Sequence, residues 1–201
     1  MHRKTSAKKL KIIKTALEIF NQHGIENTTI EMIRVATETS VGSLYHHFGN
    51  KEGLAAAVYM TGLQDFSERL FHAVKQCKTL KEAVYCIVES NIDWIEEQSV
   101  WAKFIFEQHN VLKAAGEEQY FRESATQLQQ ALNKFIVGLD NDVPLQDYPP
   151  EILSSLLVGP THDYARHWLN GRRSIPLQQL KGPFALAAWQ GLLNLNAIGK
   201  N

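Results

Sequence analysis

The chain has 201 residues, 44% hydrophobic and 21% charged, which is enough for a sizeable core and unlike a disordered or low-complexity polypeptide. Lys plus Arg and Asp plus Glu both number 21, so overall charge points to no nucleic acid, membrane surface or acidic substrate. Its distribution is less even: residues 1–50 hold 7 basic and 4 acidic side chains and residues 51–201 hold 14 and 17, which suits a DNA-facing head on an acidic body.

The opening MHRKTSAKK is polar and basic with no apolar run behind it, so no signal peptide is expected. No apolar run approaches the roughly 20 residues of a membrane span, and the expected location is cytoplasmic. Thr5 to His23 predicts the first helix, with Leu10, Ile13, Leu17 and Phe20 at three- and four-residue steps. Gly24 is its stop signal. Ile30, Ile33 and Ala36 then recur at helical spacing behind Thr29, a good N-cap residue. A turn at Glu38-Thr39 leads to a second short helix that Ser40 can cap, with Leu44 and Phe48 as its core face. Three helices packed by Ile13, Phe20, Ile33, Leu44 and Phe48 make a helix-turn-helix unit over residues 1–50.

At these positions the chain resembles the N-terminal domain of TetR-family transcriptional regulators. The shared pattern is the capped helix at Thr29, the turn, and Gly42-Ser43-Leu44-Tyr45-x-His47-Phe48 followed by Lys51-Glu52. The resemblance implies that the second helix of the motif enters the major groove. It makes Thr29, Tyr45, His47 and Lys51 phosphate-contacting positions, and puts base contacts at Val41, Gly42 and Ser43 with Thr39 and His46 beside them. No Arg, Asn or Gln is present for a bidentate base contact, so each half-site is read weakly and a dimer on two half-sites is expected. Glu38 stands where the family's turn usually has Gly, Arg34 where a small alanine is common, and Val41 in place of a frequent lysine. His46 and His47 do not read as a metal pair, because adjacent helical residues diverge by about 100° and no ligand sits at the right spacing.

Beyond residue 50 the pattern predicts a helical body of residues 51–201, for an all-α protein of about nine helices. A long helix runs from Lys51 to about Lys75, with Gly62 inside it at a cost of about 1 kcal/mol unless a close crossing or bend compensates. Cys77 and Cys86 read as buried thiols, with a redox-sensing disulfide as the alternative. Helices follow from Thr79 to Glu97, from Ser99 to Gly116, and from Glu117 to about Leu139. After a loop from Asp140 to Pro150, a helix interrupted at Gly159-Pro160 is expected to kink. The last helix is expected to start near Pro176 and is apolar on more than one face.

The central helices hold Trp94, Trp101, Phe104, Glu107, His109, Tyr120, His162, Tyr164 and Trp168. Aromatic walls with a few polar groups describe a small-molecule pocket, and equally an ordinary core. No cofactor is expected, and no catalytic motif is present: there is no Gly-x-Ser-x-Gly, His-Glu-x-x-His, phosphate loop or dinucleotide fingerprint. By resemblance, the helices containing Ile152–Asn170 and Pro183–Ala197 pair across a homodimer. The expected function is a DNA-binding transcriptional repressor that holds a palindromic operator as a homodimer and is released by a small-molecule effector. The alternative is a helical interaction or scaffold protein with a vestigial DNA-binding head.

Overall fold

The structure is a computed structural model. It describes residues 7–195 apart from 109, 120–122, 124–125, 127–129, 131–133, 140–142, 144 and 146–147, and of 150 and 151 the backbone alone. The protein is all-α. Among the described residues the helices are α1 Ala7–Asn27, α2 Ile30–Thr37, α3 Val41–Phe48, α4 Lys51–Val74, α5 Leu80–Glu97, α6 Ser99–Glu107, α7 Val111–Ala114, α8 Pro150–Leu169 and α9 Lys181–Leu195, with a 3-10 turn at Leu177–Leu180. The helix expected over 117–139 lies in large part outside the described residues, of which 134–137 are helical.

The chain divides into two compact units, Met1–Gln64 with Val100–Arg122, and Asp65–Ser99 with Glu123–Asn201. In the first, α1 buries Ile12, Ile13, Ala16, Leu17 and Phe20 on one stripe. Gly24 breaks the helix with φ 77° and ψ 157°, and the Thr28 hydroxyl donates to its carbonyl at 2.7 Å. Phe20 stacks on Phe104 of α6, ring centroids 6.0 Å apart, rather than on the motif helices alone. The short α2 faces inward through Ile33 and Thr37, not through Ala36, which is exposed. One turn separates the two buried residues, and Thr37 can be buried because its hydroxyl donates to the Ile33 carbonyl at 2.7 Å. On α3 only Leu44 is fully buried. Phe48, expected in the core, is half-buried at the helix end, with the Lys9 ammonium 5.4 Å from its ring centre.

Asn50 starts α4 by accepting the Gly53 N–H at 2.6 Å. A Cβ built on Gly62 would stand 2.6 Å from Trp101 Cε3 and 3.0 Å from Ile105 Cδ1, so α4 and α6 approach too closely for any other residue. The single long helix expected from Ser99 is two: α6 ends at Glu107 and α7 restarts at Val111 before Gly116 closes it at φ +73°.

The second unit is organised on α5, whose Leu80, Ala83, Val84, Ile87 and Ile92 are buried against α8 and α9. Its start is a full capping box: Thr79 Oγ1 accepts the Glu82 N–H at 3.2 Å and Glu82 Oε2 accepts the Thr79 N–H at 3.3 Å. Pro176 opens a 3-10 turn, and the last helix begins at Lys181, later than expected. Pro183 thereby sits in a first turn, where its missing N–H has no intrahelical partner to lose. α8 runs through Pro160 without ending. Cys77 and Cys86 are half-buried free thiols, and burial first, then the neighbouring Cys86, pushes the Cys77 thiol up to about 11.

Candidate DNA-binding surface and ligand cavity

Two hydroxyl caps fix the motif helices. Thr29 Oγ1 accepts the Met32 N–H at 3.2 Å, and Ser40 Oγ accepts the Ser43 N–H at 3.3 Å. Between them the chain turns at Glu38, φ 54° and ψ 34°, the one non-glycine at positive φ among the described residues. Its N–H and that of Thr39 return to the last carbonyls of α2, with Thr39 bonded to Arg34 O at 3.2 Å. The left-handed Glu38 costs about 1 kcal/mol relative to glycine.

This turn exposes one face of α3. Val41 is 39% exposed and Tyr45 51%, one helical turn apart, with Gly42 and His46 exposed beside them. A Cβ on Gly42 would meet nothing within 4 Å, so the fold itself does not require glycine there. Ser43 and His47 are half-buried, and the His47 ring lies edge-on between His46 and Phe48 at 5.3 and 6.0 Å. Thr39 is buried, its hydroxyl donating to the Thr37 carbonyl at 3.3 Å, which gives it a place inside the turn rather than on the reading face. Lys51 donates to the Glu26 carbonyl at 3.1 Å and so ties the start of α4 to the end of α1. Arg34 lies on the surface in a two-pronged pair with Glu31 at 2.8 and 2.7 Å.

The second unit holds a cavity of about 190 Å³. α5 contributes Leu80, Ala83, Val84 and Ile87 to its wall, α8 contributes Leu153 and Leu157, and α9 contributes Leu192. Ile136, Val137, Leu145 and Tyr148 also line it, and among the described residues the Tyr148 hydroxyl is the one polar side-chain group in the wall. Among the described residues the wall is mostly aliphatic and carries no charged side chain.

The aromatic residues expected to line a ligand site are not gathered there. Trp101 and Phe104 are buried in the first unit, against Gly62 and Phe20, and Glu107 is exposed. Trp94 is buried in the second, its indole N–H donating to Asp65 Oδ2 at 2.8 Å and its ring 5.3 Å from Phe66. Tyr164 donates to the Ile175 carbonyl at 3.0 Å and meets Phe184 edge-on, and Trp168 is half-buried near the end of α8. His109 and Tyr120 lie outside the described residues. His162 is the exception in position: its Nε2–H donates to Asn91 Oδ1 at 3.1 Å, one turn beyond the cavity residues on both helices. Burial, and secondarily the charge of Arg166, pulls its imidazole down to about 4, so the ring is neutral. Residue type could not have revealed the cavity, because aliphatic lining and aliphatic core look the same in sequence.

Residues 12–58 match the family described as "Bacterial regulatory proteins, tetR family". Over 88% of this chain and 79% of its own length, the transcriptional activator FasR of Mycolicibacterium smegmatis is 24% identical. The fatty acid degradation regulator FadR from Bacillus halodurans shares the fold with a TM-score of 0.74 at 15% identity, covering 92% of this chain and 96% of its own. FadR from Bacillus subtilis, solved in complex with stearoyl-CoA, does so with a TM-score of 0.70 at 14% identity, covering 89% and 96%. Among the described residues no helix is long and apolar enough to cross a membrane. Residues 12–58 are thus a DNA-binding head of the tetR family, and the chain as a whole shares the fold of the FadR regulators.

Proposed function

We propose that the protein is a repressor that binds a palindromic operator as a homodimer and is released by an effector carrying an aliphatic chain. The observation that carries the DNA-binding half is the open face of α3, with exposed Val41, Tyr45 and His46 around a glycine that the fold does not need. A helix without a side chain at Gly42 lets its backbone lie close to base edges, while Tyr45, His47, Lys51 and Thr29 hold the phosphates. Val41 touches a thymine methyl, and Ser43 and His46 make single hydrogen bonds.

The largely aliphatic wall of the cavity supports an acyl chain as the effector, and the likeness of fold to a FadR solved with stearoyl-CoA agrees with it. Repression rather than activation is our own reading of the effector's sign, and FasR, by name an activator, is a relative with the opposite sign. Dimerisation through α8 and α9 accounts for Ile152, Leu186 and Leu193, which are 42%, 49% and 39% exposed on the single chain. The test is selection from random duplex DNA followed by titration with stearoyl-CoA. A palindrome should be enriched and its complex should dissociate as the acyl-CoA is added. Enrichment of no sequence would favour a scaffold role with a vestigial head, and a complex indifferent to acyl-CoA would reject the effector class.

A further inference from the structure

Below the cavity the two helices that wall it turn polar. On α5 the row Leu80, Val84, Ile87 continues one turn later to Asn91, and on α8 the row Leu153, Leu157 continues to Thr161. Both polar residues are 1% exposed. His162 occupies Asn91 Oδ1 at 3.1 Å, but Asn91 Nδ2 and Thr161 Oγ1 are buried with no hydrogen-bond partner. A helical threonine ordinarily bonds the carbonyl four residues back, as Thr37 and Thr61 do here at 2.7 Å each. Thr161 does not. Two unpaired polar groups on facing helices, in rows that line a cavity, are costly for the protein to keep and call for an outside partner. α9 packs on both α5 and α8 and buries the small side chains Ala185 and Ala188.

We infer that Asn91 and Thr161 form the polar end of the effector cavity and bind a neutral oxygen, a hydroxyl or carbonyl, carried on an aliphatic skeleton. This deepens the reading of the cavity as the effector site and rests on it. Neutrality follows from the donors, an amide and a hydroxyl without a cation among them, beside an imidazole that burial keeps uncharged. The oxygen is either the carbonyl that joins an acyl chain to its carrier or a hydroxyl or keto group along the chain.

The probe pair n-octane and n-octanol separates the two layers of the claim. A hydroxyl both gives and accepts a hydrogen bond, so octanol reads the site whichever way the Asn91 amide is turned. Depletion of each probe from the headspace over the full-length protein measures binding. Octanol should bind about tenfold tighter than its partition from water relative to octane allows, and Thr161→Val and Asn91→Leu should each erase most of that excess while octane binding holds. Thermal unfolding of both variants checks the fold, and Thr161→Val should melt no lower than wild type because it removes an unpaired hydroxyl. If octane binds and octanol shows no excess, or the excess survives both substitutions, the polar site is refuted while the cavity stands. If neither probe binds wild-type protein, the cavity reading itself fails and the polar site with it.

Discussion

A histidine at the end of the cavity sets the pH response. The imidazole of His162 is held at about 4, below its ordinary 6.5, by burial and then by Arg166. Above 6.5 the folded and unfolded chains are both neutral at this position. Between 6.5 and about 4 the unfolded chain takes up a proton that the folded chain refuses, so stability falls as the pH drops through that window, by about 3 kcal/mol in all. Urea midpoints measured at pH 7 and pH 5 should show this loss in the wild type, and His162→Gln should flatten it while keeping a polar partner for Asn91. Equal slopes in the two proteins would place the titration elsewhere. His162 stood in the sequence among the candidate pocket residues, but its partner did not, because an asparagine within an apolar helix stripe reveals its contact only once two helices are packed.

At the level of elements, local signals carried furthest where they were chemical rather than statistical. The caps at Thr29, Ser40 and Thr79 are where the side chains predict them, because a hydroxyl before a helix has one obvious N–H to accept. Apolar periodicity misplaced Ala36 and Phe48, since an eight-residue helix packed on one side buries a single stripe and leaves its ends half-open. Gly62 shows how the helix tolerates a residue it should disfavour: the missing Cβ is filled by Trp101 and Ile105. Gly62→Ala gains about 1 kcal/mol of helix propensity but forces a contact at 2.6 Å, and overpacking costs about 1–3 kcal/mol. The variant should therefore unfold at lower urea than wild type, and a higher midpoint would mean that Trp101 moves aside freely.

For the whole molecule, the all-helical fold and its DNA-binding head were legible from the chain, whereas the cavity of the second unit was not. Aromatic residues drew attention to Trp94, Trp101 and Phe104, which pack against Phe66, Gly62 and Phe20, while the cavity is walled by leucine, isoleucine and valine. The proposed function depends on assembly as well as on the cavity. If α8 and α9 form the dimer, Leu186→Glu combined with Leu193→Glu buries like charges across the interface, and sedimentation should show a dimer for wild type and a monomer for the variant. A wild-type monomer at micromolar concentration would remove the basis for palindromic recognition.

If the open face of α3 reads DNA, Gly42 lies where the helix backbone comes nearest the bases. Nothing in the fold lies within 4 Å of a Cβ at this position, and the backbone is helical, so Gly42→Ala should leave the protein as stable as wild type or up to about 1 kcal/mol more stable. On a selected operator, fluorescence anisotropy at fixed salt should nevertheless show at least about tenfold weaker binding, because the methyl intrudes where the helix meets the bases. Full operator affinity in a folded Gly42→Ala protein would mean that this face of α3 does not meet the bases.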